Sequence, residues 1–185
     1  MVWRVIDEPA SEPVSLAEAR LSCKVISNFT GDDALISSLI TAARRQVELG
    51  CNRAIVTQTW QIELPGFPEN CISVPGNVQN ITSIKYYQDG ELKTYSPDDY
   101  VVRLTEPARI APKNGVWPET DARPEAVQIV AVVGYVVVPE DLKTAIKMMV
   151  GTWYQNREGV VAYNAKELPM AVNSILSLYC DRSLI

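Results

Sequence analysis

The spacing of apolar residues changes twice along this chain, and that change constrains its fold more than any other feature of the sequence. Apolar residues recur at helical spacing in Leu35–Val47 and again in Leu142–Trp153. Between them, in Trp60–Leu64 and beyond, apolar and polar residues alternate as in a strand with one buried face. Helices that flank a block of strands predict an α+β fold, because a doubly wound parallel sheet would alternate the two elements.

Local signals mark the starts of four helices. Ser15 followed by Glu18 is the sequence pattern of a capping box, in which each side chain satisfies the other residue's free backbone N–H. Acidic residues and a proline at the other starts suit the positive end of a helix. We expect the helices to begin near Ser15, Asp32, Pro139 and Pro169.

Short strands separated by turn residues fill the middle of the chain. Asp89-Gly90 is the best hairpin turn among them. The proline-rich stretch Glu106–Pro124 is expected to be a long loop over the sheet, anchored by Trp117. The predicted strands are 54–64, Cys71–Val74, Ile81–Tyr87, Leu92–Tyr95, Tyr100–Leu104 and Ala126–Tyr135.

These elements predict a four-helix bundle formed by the N- and C-terminal helix pairs, with an inserted, mainly antiparallel β-domain. The N-terminal helical part would cover residues 1–53, the β-domain 54–138 and the C-terminal helical part 139–185. The two helical parts are expected to pack together because neither apolar stripe is large enough to stand alone.

Charge and composition exclude several classes of function. The 185 residues carry a formal charge of −5, so tight binding of DNA is disfavoured. The chain has no histidine, and its four cysteines are widely spaced, so a structural zinc site or a histidine-based catalytic triad is not expected. No phosphate-binding loop, membrane span or secretion signal is visible. We expect a chain that is made and kept in the cytoplasm with reduced cysteines.

Pairs of carboxylates are the remaining source of catalytic chemistry. Such pairs can hydrolyse glycosides or hold a divalent cation. Two of the three pairs lie at helix starts and the third follows a proline in a turn, where acidic residues serve local hydrogen bonding. We therefore expect no catalytic residue, metal or cofactor, with a small acidic hydrolase using Asp98 or Asp99 as the alternative. The pairs are Asp32-Asp33, Asp98-Asp99 and Glu140-Asp141.

A group of aromatic residues in the strand block has two interpretations. Stacked rings on a sheet could bind a sugar or a peptide, which would make the chain a monomeric binding module. Aromatic residues in strands more often form core and cross-strand pairs, and this is the interpretation that we prefer. The residues are Trp60, Tyr86, Tyr87, Tyr95, Tyr100 and Trp117.

Several of these segments, in their order and spacing, resemble the head–tail connector proteins of long-tailed double-stranded DNA phages, in the longer branch that carries a β-insertion. The resemblance spans most of the chain, and the block that begins at Pro139 is its most specific part. The segments are Pro13–Ala19, Asp32–Ile36, Ala42–Arg44, Thr57–Trp60, Pro139–Lys143 and Trp153–Glu158.

The resemblance implies a structural adaptor of the virion neck, made in the bacterial host. Such proteins form a homo-oligomeric ring of about a dozen copies under the portal. The ring extends the channel through which genomic DNA passes without tight binding, and it gives a platform for downstream neck or tail proteins. The residues expected at a subunit interface are Arg44, Arg45, Tyr154 and Arg157, although the default reading of the two neighbouring arginines is a solvated helix face.

Overall fold

The computed structural model describes residues 2–26, 28–156 and 170–180. Within them the fold contains four α-helices, and all strand pairs inside its sheets are antiparallel, which confirms the α+β prediction. The helices are α1 (Leu16–Ser22), α2 (Asp33–Cys51), α3 (Glu140–Gln155) and α4 (Met170–Leu176). The strands are β1 (Val2–Asp7), β2 (Gln58–Leu64), β3 (Ile72–Val74), β4 (Val78–Gln88), β5 (Glu91–Tyr95), β6 (Tyr100–Arg103), β7 (Ala108–Pro112) and β8 (Val127–Val133).

The chain divides into two compact units. A β unit comprises Met1–Ala10 and Val56–Val136, and a helical unit comprises Ser11–Ile55 and Val137–Ile185. Strand β1 thus lies in the β unit, although its residues were predicted to belong to the N-terminal helical part. Among the described strands it pairs with β2 alone, more than fifty residues further along the chain, so the local sequence does not predict it.

The larger sheet of the β unit has the strand order β1-β2-β8-β4-β5. Burial alternates strictly along β2 and β8, so each strand sends every second side chain into the core. Trp60 is fully buried in β2, and the ring of Trp3 from β1 stacks on it with ring centroids 4.1 Å apart.

A smaller sheet has the order β3-β7-β6. Its central strand β7 lies inside Glu106–Pro124, so the prediction of one continuous loop there is wrong. The prolines that suggested a loop flank the strand or end it, where a missing backbone N–H breaks no ladder. Trp117 does anchor the following segment, because its indole N–H donates to the Asn70 carbonyl oxygen at 3.2 Å.

The β4–β5 hairpin turns at Asp89-Gly90, as the sequence predicts. Both residues have positive φ, 58° and 79°, which is the backbone shape of a tight hairpin turn. The carboxylate of Asp121 accepts hydrogen bonds from both turn N–H groups at 2.9 Å. The chain after β7 therefore returns to cap this hairpin.

In the helical unit, helices from both ends of the sequence pack together. Helix α3 contacts α1, α2 and α4, and α1 also contacts α2. The capping box of α1 is confirmed, with Ser15 and Glu18 bonded reciprocally. Since α1 and α4 have only seven residues each, the regular four-helix bundle stays a prediction. None of the helices in the described ranges has both the length and the apolar character needed to cross a membrane.

Two of the four cysteines are joined. Cys51, the last residue of α2, forms a disulfide with Cys180, which follows α4. The expectation of four reduced cysteines is therefore wrong for this pair, because chain folding brings together two residues that are 129 positions apart. Cys23 and Cys71 take part in no disulfide.

Candidate assembly site

Arg44 lies inside the helical unit. Its side chain is 3% exposed, and its Nε donates to Glu12 Oε2 at 2.8 Å while Nη1 donates to Glu48 Oε2 at 2.7 Å. The other oxygen of Glu48 accepts the backbone N–H of Ile55 at 3.0 Å. The charge of this buried guanidinium is compensated by two carboxylates of its own chain.

This network replaces the solvated helix face expected around Arg44. Burial lowers the pKa of the guanidinium, but the Glu12 hydrogen bond and the charges of Glu48 and Glu12 outweigh it, so the pKa is raised. The apolar stripe of α2 is also rotated from its predicted position, since Leu35 is exposed and Glu48 is buried. A salt bridge at i and i+4 can occupy a buried face when a third charged group completes it, and Glu12 cannot be recognised as that group from local spacing.

Arg45 and Tyr154 have different surroundings. Arg45 is exposed on α2, as expected of a residue available to a neighbouring subunit. Tyr154, in the last turn of α3, is half-buried and donates from its hydroxyl to Asp32 Oδ2 at 2.5 Å. Arg157 lies outside the described residues. The four residues expected at an interface therefore do not form one exposed patch in the described structure.

Three of the four acids at helix starts bind side chains of other elements. Asp32 makes no capping hydrogen bond, so its predicted role as a cap is wrong, and it accepts from Tyr154 instead. Asp33 pairs with Arg20 of α1 at 2.5 Å. Asp141 accepts the Tyr179 hydroxyl at 2.6 Å. These acids link helices to one another, which local sequence does not show.

The third pair, Asp98-Asp99, lies in a single turn of 3-10 helix just before β6. Both residues are exposed, and the Ser96 hydroxyl accepts the Asp98 backbone N–H at 3.3 Å. This is the turn that the sequence predicts. Within the described ranges, no group of three or more acidic, cysteine or histidine side chains could hold a metal ion.

Five aromatic rings pack against one another in the β unit. Phe67 stacks on Trp117 with centroids 4.6 Å apart, and Tyr95 contacts all four other rings. Burial, followed by the charge of Asp99, raises the pKa of Tyr95, and burial raises that of Tyr100. The cluster consists of Phe67, Tyr86, Tyr95, Tyr100 and Trp117. The five rings pack against one another, which favours the interpretation of these aromatic residues as core and cross-strand pairs.

A recess of about 260 Å³ opens in the β unit between residues 104–106 and 134–136. Leu104 and Val136 at its rim are 55% and 82% exposed. Glu106 is the one carboxylate among the residues that line it. A carboxylate-based hydrolase needs a second acid facing the first, so this recess lacks the pair that such chemistry requires.

Comparison with known proteins gives matches among solved structures. No protein-family model matches the chain, and no curated protein matches it. The neck of an empty GTA particle, computed with C6 symmetry, contains a chain of similar fold with a TM-score of 0.82 and 17% identity. A chain in the virion of a native gene transfer agent (GTA) particle has a TM-score of 0.81 and 16% identity. A chain in the neck of a native GTA particle computed with C12 symmetry has a TM-score of 0.78 and 16% identity.

Each of the three matches covers 97% of this chain and 95% of the other chain. The likeness therefore includes both the β unit and the helical unit. At this identity it establishes a shared fold: the chain folds like a chain found in gene transfer agent necks.

Proposed function

We propose that this chain is a structural, non-enzymatic head–tail connector subunit of a virion neck. In this role, copies form a symmetric ring beneath the portal, extend the DNA channel, and provide a platform on which neck or tail proteins assemble. The portal and a downstream neck or tail-completion protein are the partners, and genomic DNA passes through the ring without tight binding. The organisation expected from the sequence, a four-helix bundle with a β-domain inserted, is part of this proposal, with β1 added to the β-domain.

The observation that carries the proposal is the match over 97% of the chain to a chain of the GTA neck. Two of the matched structures are necks that were computed with C6 and C12 symmetry, which is the kind of assembly that a connector ring requires. The resemblance of the Pro13–Ala19 and Pro139–Lys143 segments to connector proteins supports the same role independently of the fold.

The side-chain chemistry agrees with a structural role. Four acids that a hydrolase could have used are committed to other contacts: Asp32 and Asp141 accept tyrosine hydroxyls, while Asp33 and Glu140 pair with basic side chains. The aromatic rings that a sugar-binding module could have used pack on each other. No observation in the described residues favours either alternative over the connector.

Arg45 and Tyr154 are the described residues that we propose at the subunit contact, together with Arg157. Arg45 is exposed, and Tyr154 is half-buried at the end of α3, so each retains surface that a neighbour can cover. Arg44 contributes indirectly, because its ion pairs fix the helix that carries Arg45.

The test is the size of the assembly. The purified chain is examined by mass photometry and electron microscopy, alone and mixed with the portal protein of the same virion. A connector gives rings, either alone or seated on the portal, with one fixed rotational symmetry. A chain that stays monomeric across the concentration range and leaves the portal bare contradicts the proposal.

A further inference from the structure

Two arginines face each other on the smaller sheet of the β unit. In the antiparallel ladder between β6 and β7, Arg103 lies directly opposite Arg109. Directly opposed residues have Cβ atoms about 5 Å apart, so like charges in these positions repel each other. Ser73 of β3 is the next residue across from Arg109. The pair therefore costs stability, and no contact among the described residues gives a reason for it.

Both arginines point to solvent. Burial alternates along β7, with Ala108 and Ile110 fully buried and Arg109 exposed between them. On β6, Tyr100 is buried and Val101 is 54% exposed, which places Val101 and Arg103 on the same outer face. In the described part of the chain, neither guanidinium forms a hydrogen bond or an ion pair. The face presents two adjacent cations, and the single carboxylate in the turn between their strands, Glu106, leaves this end with an excess of positive charge.

Two adjacent carboxylates lie at the other end of β6. Asp98 and Asp99 precede the strand, both are exposed, and neither carboxylate accepts a hydrogen bond from a described residue. The strand from Tyr100 to Arg103 spans about 10 Å, which separates the acidic end from the basic end. Both ends belong to one compact unit, so they face fixed directions relative to each other.

One basic residue lies near the acidic end. The backbone N–H of Lys113 donates to the Asp99 carbonyl oxygen at 2.8 Å, and its ammonium forms no ion pair with a described carboxylate. The acidic end therefore has two carboxylates and one ammonium, which is a net negative charge. Its excess charge is therefore opposite in sign to that of the Arg103–Arg109 end.

We infer that the Arg103–Arg109 pair of one copy binds the Asp98-Asp99 pair of the next copy, and that this contact fixes the register between neighbouring subunits. The inference rests on the proposed ring. Two guanidiniums match two carboxylates in number and in hydrogen-bonding geometry. A basic end and an acidic end on the same strand make a head-to-tail contact, which is the type that closes a ring.

Nucleic acid is the other class of partner that two arginines could bind. The chain carries a net charge of −5, and the acidic pair lies on the same strand as the arginines. A phosphate backbone that approaches this edge would be attracted by the arginines at one end of β6 and repelled by the carboxylates at the other end. A neighbouring copy satisfies both ends at once, which favours the contact between copies.

The test is a charge swap with four forms of the full chain: wild type, R103E/R109E, D98R/D99R, and the quadruple variant that combines them. Self-association is followed by analytical ultracentrifugation at several salt concentrations. Each double variant places like charges at every contact, so its apparent dissociation constant should rise about tenfold or more. The quadruple variant restores opposite charges and should recover most of the loss. An equimolar mixture of the two double variants should also associate, since each supplies what the other lacks.

Matched controls separate this contact from a general effect of charge. K24E/K85E and E69R/E119R make the same changes in net charge at other exposed positions and should leave association within about twofold of wild type. Thermal unfolding of every variant checks the fold. R103E/R109E keeps a like-charged pair across the ladder, so its stability should stay close to wild type.

Four outcomes overturn the inference. Double variants that associate like wild type show that the charges do not meet, although wild-type rings would leave the proposed function standing. A folded quadruple variant that fails to recover shows that the two pairs are not partners. Normal rings of R103E/R109E with weakened binding to double-stranded DNA assign the arginines to nucleic acid instead. A wild-type chain that forms no ring, alone or on its portal, removes the proposed function together with the inference.

Discussion

The Tyr154 hydroxyl donates a hydrogen bond to Asp32 Oδ2 across 2.5 Å, which ties the last turn of α3 to the residue just before α2. Tyr179 and Asp141 repeat this relationship at 2.6 Å between the end of the described chain and the start of α3. In both pairs the acid at a helix start accepts a phenol from elsewhere in the helical unit.

We expect Tyr154→Phe and Tyr179→Phe to lower the free energy of unfolding by about 1–3 kcal/mol each, because a part-buried carboxylate loses a donor while the ring stays in place. Urea unfolding at neutral pH measures the change. Unaltered midpoints in both variants would show that water replaces the phenol without cost.

Arg44 and Arg45 are adjacent in sequence and should differ sharply on substitution. Arg44→Ala leaves Glu48 buried without its ion-pair partner, which should cost about 3–5 kcal/mol. Arg45→Ala changes an exposed side chain and should stay within about 0.5 kcal/mol of wild type. Both are measured by the same denaturant titration. Equal losses for the two variants would contradict the buried network.

The Cys51–Cys180 disulfide should be detectable in the purified protein. Under non-reducing conditions the intact mass should lack two hydrogens, and peptide mapping should join the two segments. Reduction should lower the free energy of unfolding by about 2–4 kcal/mol, because the cross-link closes a long loop in the unfolded chain. Cys71→Ser is the control, since that half-buried thiol is free and its loss should leave the mass difference intact.

The order of elements was accessible from sequence because it depends on local periodicity. Strands β2 and β8 alternate without interruption, and α3 carries Leu142, Ile146 and Met149 on one buried face. Strand β1 was not accessible, because it is specified by pairing with β2 across the whole N-terminal helical segment. The same limit applies to β7, whose pairing with β3 and β6 outweighs its flanking prolines.

Side-chain contacts also differ in whether they could be predicted from the local sequence. The Ser15–Glu18 capping box is a contact between residues three positions apart and could be predicted. The burial of Arg44 depends on Glu12, which lies 32 positions away and reaches it only after folding. The Arg103–Arg109 pair required the register of a strand that was expected to be a loop. That pair is local, whereas β1 and the Arg44 network depend on contacts between residues far apart in the chain.

The capping box gives the stability a defined pH dependence. The Ser15 hydroxyl and then its backbone N–H donate to Glu18, and these bonds lower the pKa of the carboxyl from its ordinary value near 4.5. A lowered pKa in the folded state contributes stability that is present above the unfolded pKa and is lost as the pH falls through the folded pKa.

Ser15→Ala should therefore raise the pKa of Glu18 toward its ordinary value, and NMR titration of the carboxyl carbon measures it. The variant should be less stable than wild type at pH 7, and the difference should shrink as the pH falls through the lowered folded-state pKa of Glu18, below which the carboxyl is protonated in both states. A difference in stability that is constant with pH would show that the Glu18 charge has no part in the cap.

Gly134, just after β8, is required by its surroundings as well as by its backbone shape. Its φ is +110°, and a Cβ there would collide with the Val56 carbonyl and lie 2.7 Å from the Thr57 nitrogen. The backbone cannot move aside easily, since the Gly134 N–H donates to the Asn77 carbonyl oxygen at 3.0 Å and its own carbonyl accepts from the Gln79 side chain. Gly134→Ala should cost about 2–5 kcal/mol through backbone strain and overpacking together.

Gly115→Ala is the matched control, because Gly115 also has positive φ but a Cβ there would meet nothing within 4 Å. It should cost only about 1–2 kcal/mol, the strain alone. Thermal and urea unfolding of the two variants decide the matter: equal losses would mean that the close approach of Val56 to Gly134 relaxes without cost, and that the glycine is needed only for its backbone conformation.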